Sequence, residues 1–303
     1  MTLCRYQIEH KTTYAHAGRA STSQHIACLK PRTLRHQTVH GHDLAIEPAP
    51  DALHERIDYF GNHVHRFEIL SPYVELRVTS RSLVDVSPRG APVDPEAGTA
   101  WEHVRGLATF HAGRPVDRDI EFRHPSPYVV VEGELAAYAG PSFPVGRPLL
   151  AAAADLMHRI HREFRFDPGA TTITTPVARV LVDRHGVCQD FAHLMIGCLR
   201  ALGLPARYVS GYLLTDPPPG QARLVGADAS HAWVSVHDPA FGWVDFDPTN
   251  DVLPDARHIV TAWGRDYGDV SPLRGVVLGG RQQRLAVGVS VIPVGETPVE
   301  PFA

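Results

Sequence analysis

The sequence predicts an α+β chain: strands come first, helices follow, and two alternating strands lie towards the end. Three observations predict it. Residues 1–86 hold five or six short strand-like runs cut by Pro, Gly and Asn, as a small β-sandwich requires. Cys188, Ala192, Met195, Leu199 and Leu202 recur at spacings of four, three, four and three, which sets them on one helical face. Residues 231–236 and 243–247 alternate between apolar and polar, the period of a half-buried strand.

The elements follow in order. Tyr6 to Tyr14, Gln24 to Leu29 and Asp43 to Ile46 read as strands. Arg56 to Phe60, the turn Gly61-Asn62 and Val64 to Leu70 read as a hairpin, because Gly-Asn supplies the positive φ values of a tight turn. Tyr73 to Val84 is a further strand, and the Pro- and Gly-rich stretch Ser87 to Glu96 a linker. Helical pieces are predicted over Pro95 to Phe110, Leu135 to Tyr138 and Arg147 to Phe166. A loop turning on Gly186 leads into the helix of Cys188, which Gly203 and Pro205 stop. Arg207 to Leu214 is a strand, and residues 216–220 form an exposed turn. The division expected is a β-rich unit at 1–86, a linker with a short helical segment at 87–139 and a core at 140–303.

Composition narrows the function. A hydrophobic content of 44% with 20% charged residues is that of a globular protein, and a net charge of −4 gives no basic face for nucleic acid or an anionic membrane. No run approaches the ~20 apolar residues of a membrane helix; Pro148 to Met157 is broken by Asp155. Residues 1–11 carry Arg5, Glu9 and Lys11 without an apolar stretch, so no signal peptide is expected and the cytoplasm is the expected compartment. Four irregularly spaced cysteines make no disulfide framework, and Cys4 and Cys28 are read as thiols.

The chemistry gathers around Cys188. A thiol in the first turn of a helix meets unpaired N–H groups and the positive end of the helix dipole, both of which favour a thiolate. The plain alternative is a small buried apolar residue. In the alternating segment, His231, Trp233 and Ser235 share one face, as do Trp243, Asp245 and Asp247. A loop of residues 238–240 would pair 237 with 241, 235 with 243 and 233 with 245, setting His231 directly opposite Asp247. A cysteine nucleophile needs a histidine to move its proton and a carboxylate to orient that histidine. Cys188, His231 and Asp247 fill those roles, with Asp245 a competitor on the same face.

Other candidates fare worse. Cys198 lies mid-helix; His193 and Asp190 stand roughly 140° and 200° around the helix from Cys188. The pairs His63/His65 and His158/His161 could bind metal, but solvated histidines explain them, and His158/His161 lack the Glu of a His-Glu-x-x-His helix. No cofactor or metal is called for.

Four blocks carry a resemblance: Gly186-Val187-Cys188-Gln189-Asp190-Phe191-Ala192-His193, then residues 202–212, then Ser230-His231-Ala232-Trp233, then Gly242 to Asn250. In this order they resemble the core of the bacterial transglutaminase-like cysteine protease superfamily. Lys30-Pro31-Arg32 and Asp58-Tyr59-Phe60-Gly61-Asn62 resemble the β-rich region that precedes that core, and Gly264-Arg265-Asp266-Tyr267 with Ser271 to Gly275 resemble its end. The resemblance implies a papain-like α+β fold and a triad of Cys188, His231 and Asp247. It further implies acyl transfer on a peptide or protein substrate, hydrolysis being favoured over amine transfer. A catalytically idle peptide-binding module and a His/Cys metallohydrolase are the alternatives. Animal members place a Trp upstream of the nucleophile and papain-like proteases a Gln, but no Trp lies between Trp101 and Trp233 and no Gln within 182–187. The Cys188 N–H is therefore the expected first oxyanion donor, the second being unassigned. No Asp-rich loop suggests calcium.

Overall fold

The computed structural model describes residues 3–89, 93–109, 118–216 and 230–295. In chain order they form β1 (Cys4–Ala27), β2 (Gln37–Glu47), β3 (Ala52–Ile57), β4 (His63–Ile69) and β5 (Tyr73–Val86). Next come α1 (Trp101–Leu107), α2 (Gly133–Ala139), α3 (Leu149–Glu163), the two-residue β6 (Arg165–Phe166), α4 (Val177–Asp183), β7 (His185–Gly186) and α5 (Cys188–Ala201). The chain closes with β8 (Ala206–Leu213), β9 (Ser230–Asp238), β10 (Gly242–Phe246), β11 (His258–Gly264), α6 (Tyr267–Val270), β12 (Leu273–Gly279) and β13 (Gln283–Pro293). Residues 217–229, which hold most of the expected 216–220 turn, lie outside those described, as does Phe110. No helix of the described residues is long and apolar enough to cross a membrane.

The two N-terminal strands predicted at 6–14 and 24–29 are one strand. In β1, Tyr6, Ile8, His10 and Thr12 point inward while Arg5, Gln7 and Lys11 point out, the alternation of a half-buried strand. Its first half pairs with β5 and β13, its second with β4 and β12. The sandwich-like region is therefore one seven-stranded sheet. It encloses a cluster of its own, including Phe67, Ile69, Leu76 and Val78. Residues 273–293, grouped with the 140–303 segment on sequence, pair with β1 rather than with the core sheet. Local alternation marks a strand but carries no label for a partner some 270 residues away. At the join, Gly279 has φ +79°, and a Cβ there would stand 2.9 Å from the Arg19 carbonyl oxygen.

The second sheet has the antiparallel order β10-β9-β8-β11. It packs on one side against the first sheet: Tyr6, Ile8, Val84 and Val289 meet Tyr212 and Ile259. On the other side lies α5. The sequence predicts one apolar face for this helix, yet every residue from Asp190 to Arg200 is buried. Helices α2, α3 and α4 cover the faces that β8 and β9 do not. The helix predicted over 95–110 is broken because Thr99 gives its N–H (2.8 Å) and hydroxyl (3.1 Å) to the Asp238 carboxylate. A 3₁₀ turn therefore precedes α1.

Two side-chain amides join the sheets. Gln37 donates to the Val260 carbonyl and accepts from the Val260 N–H, both at 2.8 Å. Asn62 does the same with Trp263, at 2.8 and 3.0 Å. Each amide acts as one rung of a missing strand on the β11 edge, so its backbone groups are not left unpaired. Arg32 bonds Asn62 Oδ1 at 2.5 Å and lies 3.5 Å over the Trp263 ring. The segments 30–32 and 58–62 thus serve the joint between sheets.

Candidate active site

Cys188 opens α5. Val187 precedes it with extended backbone and gives its N–H to Asp190 Oδ2 at 2.8 Å, while Thr171 donates to the same oxygen at 2.6 Å. This cap, made from the Asp190 side alone because valine has no side-chain acceptor, fixes the entry to the helix. It explains Gly186, where a Cβ would fall 2.8 Å from the Asp190 side chain. Burial pushes the Asp190 carboxyl pKa up, opposed by these hydrogen bonds. Cys188 is partly exposed, with its sulfur at the end of the helix where N–H groups lack intrahelical partners.

His231 comes from β9 and Asp247 from just beyond β10. The hairpin pairs Asp238 with Gly242, His237 with Trp243, Ser235 with Asp245 and Val234 with Phe246. Its loop is therefore 239–241 rather than 238–240, and the register lies two residues from the predicted one. A shift of two keeps every side chain on its face, so the apolar pattern could not distinguish the two registers. Asp247 consequently does not sit across from His231. The chain turns at residues 247–252, with Asp247 N–H donating to the Val252 carbonyl at 2.9 Å, and the carboxylate reaches back along the sheet. His231 Nε2 lies 2.7 Å from Asp247 Oδ2. Cys188 lies close enough to the same imidazole to help raise its pKa. With Nε2 taken by the carboxylate, Nδ1 is the nitrogen left for sulfur. The structure thus brings His231 and Asp247 into hydrogen-bond contact and sets Cys188 near the same imidazole.

The electrostatics are those of a charged pair in a dry setting. Burial lowers the His231 pKa, but hydrogen bonds and attraction from Asp247 and Cys188 outweigh it and raise the pKa to about 10. Burial raises the Asp247 carboxyl, and the donors around it hold it well below the usual carboxylate range. Asp247 has no exposed surface and accepts five hydrogen bonds.

Residues 6–85 match the family described as "Bacterial transglutaminase-like N-terminal region". Residues 144–248, which contain all three site residues, match the "Transglutaminase-like superfamily". The chain belongs to the transglutaminase-like superfamily. It is 43% identical to an uncharacterized protein of Mycobacterium tuberculosis over 95% of this chain and 93% of that one. A protein of Pseudomonas aeruginosa named "Protein-glutamine gamma-glutamyltransferase" is 31% identical over 52% of this chain and 28% of its own length. A crystal structure of a "putative cysteine protease" from Cytophaga hutchinsonii shares the fold. Its TM-score is 0.74 at 20% identity, over 100% of this chain and 94% of that one.

In this transglutaminase-like chain the carboxylate has partners that sequence reasoning missed. His258 Nε2, on β11, lies 3.2 Å from Asp247 Oδ2 and its other nitrogen faces Asp255. Asn250 Nδ2 lies 2.7 Å from the same oxygen and 3.2 Å from His231 Nε2. Asn250 could have been found: it stands three residues after Asp247, whose Oδ1 accepts the N–H groups of Thr249 (3.0 Å) and Asn250 (3.2 Å) in an Asx-type turn. His258 had no sequence signal beyond being one of 19 histidines. His158 and His161 are more than surface residues: His158 bonds Asp251, and His161 donates to the Thr249 carbonyl at 3.0 Å. Helix α3 therefore props the turn that carries Asp247.

The rivals have other tasks. Asp245 accepts from Trp233 Nε1 at 2.9 Å and pairs with Arg89, away from His231. It anchors the indole, whose ring centre stands 6.0 Å from that of His231 and 5.3 Å from that of His258. Burial pushes the Cys198 thiol up to about 12 and that of Cys28 to about 11, which leaves both inert at neutral pH. His193 accepts the Tyr267 N–H at 3.1 Å, and burial lowers its pKa to about 3. His63 and His65 share Glu55, at 2.7 and 3.8 Å, and His65 is buried rather than solvated. Among the described residues, His231, Asp247 and His258 could hold a metal, their ligand atoms lying within 4.8 Å of one another. The Asn250 amide, a donor, already occupies the approach between the His231 nitrogen and the carboxylate.

Proposed function

We propose that the chain is a cysteine-dependent acyl-transfer enzyme acting on peptide or isopeptide amides, with Cys188 as nucleophile, His231 as general base and acid, and Asp247 as orienting carboxylate. The observation that carries this reading is the His231 imidazole, bonded at 2.7 Å to a fully buried carboxylate and within electrostatic reach of a cysteine at a helix start. Cys188 sulfur attacks the amide carbonyl carbon to give a tetrahedral oxyanion, to which the Cys188 N–H is the first donor. The C–N bond breaks as His231 delivers its proton to the departing amine, leaving a thioester on Cys188. Water, losing a proton to His231, attacks the thioester and frees the acid and the thiol. The imidazolium, favoured at neutral pH before the attack and formed again when water gives up its proton, is stabilised by Asp247.

Amine transfer is the second reading, favoured by the name of the Pseudomonas relative. It differs in the last step alone, where a bound amine replaces water as the attacking group.

Iodoacetamide alkylation of the native protein across roughly pH 5–9, followed by peptide mapping, tests the shared chemistry. Cys188 should react far faster than Cys28 and Cys198, and His231→Ala should slow it at neutral pH. Equal rates for all thiols would sink the enzyme reading in favour of an idle peptide-binding module. A glutamine peptide incubated with a labelled amine then separates the two outcomes: free acid means hydrolysis, and label in the peptide means transfer.

A further inference from the structure

A cavity of about 320 Å³ lies between the first sheet and the core, at the edge of the candidate active site. Three links place it there. Ser230, in its wall, is the chain neighbour of His231. Ile173, in the same wall, accepts a hydrogen bond at 3.2 Å from the side chain of Gln189, the neighbour of Cys188. Tyr267, also in its wall, packs edge-on against Tyr208, which lies within electrostatic range of Cys188.

The lining has a definite chemistry. Tyr14, Tyr128 and Tyr267 offer aromatic surface, while Leu285 and Val287 of β13 expose 52% and 51% of theirs beside it. Among the described residues no aspartate or glutamate lines the cavity, and Arg274 is the permanently charged group in its wall. His10 is buried and stays neutral, bonded to Tyr212 and Thr12. A space this size holds a large apolar or aromatic side chain and offers a cationic one no counter-charge, against the field of Arg274. Tyr14, Leu285 and Val287 belong to the first sheet, so that sheet faces the substrate as well as supporting the fold.

We infer that this cavity is the substrate side-chain pocket. On the reading of the protein as a cysteine acyl-transfer enzyme, it selects peptides carrying an apolar or aromatic residue, and rejects basic ones, next to the amide attacked. Specificity then resides in β1 and β13, far in sequence from the cysteine and histidine they serve.

The test is protection of Cys188 from iodoacetamide by blocked peptides that differ in one central residue, Phe, Leu or Lys, each at about 1 mM. The Phe and Leu peptides should slow Cys188 alkylation, and the Lys peptide should protect roughly tenfold less well, the discrimination one pocket can supply. Leu285→Asp and Val287→Asp, on an exposed strand and outside the catalytic groups, should abolish the Phe protection. Their circular-dichroism spectra should match that of the parent, which separates loss of the pocket from loss of the fold. Equal protection by Phe and Lys peptides, none by any, or protection surviving both variants overturns the pocket. A Cys188 that without peptide reacts no faster than Cys28 instead sinks the enzyme reading beneath it.

Discussion

Asp247 is the residue on which the site turns, because a carboxylate with no exposed surface is stable only when every lone pair is engaged. Asp247→Ala should lower amidase or transferase turnover by an amount on the order of 10⁴-fold, through loss of imidazole orientation. His258→Phe removes one of its donors and should cost roughly tenfold, about 1.5 kcal/mol, with the alkaline limb of the rate profile shifted. A change confined to melting temperature would make His258 purely structural. The coupled charges also set a pH dependence. The His231 pKa is raised on folding from about 6.5 to about 10, so its stabilisation is complete below about pH 6.5 and is lost as pH climbs towards 10. The depressed Asp247 contributes above about pH 4 and loses its contribution as pH falls below that. Urea midpoints of the parent and His231→Ala should therefore converge between pH 7 and 10; curves that stay parallel would contradict the ion pair.

At the scale of elements, α5 and the β9–β10 hairpin hold the nucleophile and base at a fixed spacing. Gly186→Ala would drive a Cβ into Asp190, disrupt the cap and misplace Cys188. It should slow Cys188 alkylation and lower stability by roughly 1–3 kcal/mol, read by calorimetry and peptide mapping. Met195, fully buried in the middle of the same helix, is a packing residue, and Met195→Ala should cost roughly 2–5 kcal/mol without altering the alkylation rate relative to the other thiols. Local period made both elements legible. The 3–4 recurrence from Cys188 and the alternation from His231 follow from helix and strand geometry, which act between near neighbours. The register error of two arose because the even shift leaves the faces unchanged, and the choice belongs to Gly242, whose φ of +72° ends the loop.

For the whole molecule, the first sheet and the core are bound by side-chain amides, a shared apolar layer and strands exchanged late in the chain. Gln37→Ala and Asn62→Ala should each destabilise by roughly 1–3 kcal/mol, since the first strands the Val260 N–H and the second takes the amide partner from the Trp263 N–H and carbonyl. Hydrogen exchange should report new opening at Val260 and Trp263; unchanged protection there would contradict the amide-rung role. The sequence by itself determined the helix that starts at Cys188, the faces of the strands carrying His231 and Asp247, and the strand-rich start of the chain. These are consequences of periodicity and turn chemistry within a dozen residues. Only the tertiary structure decided that β12 and β13 complete the first sheet and that His258, on β11, reaches the Asp247 carboxylate. Those contacts join residues up to some 280 positions apart, and no local pattern encodes which distant surface a strand edge or a buried donor will meet.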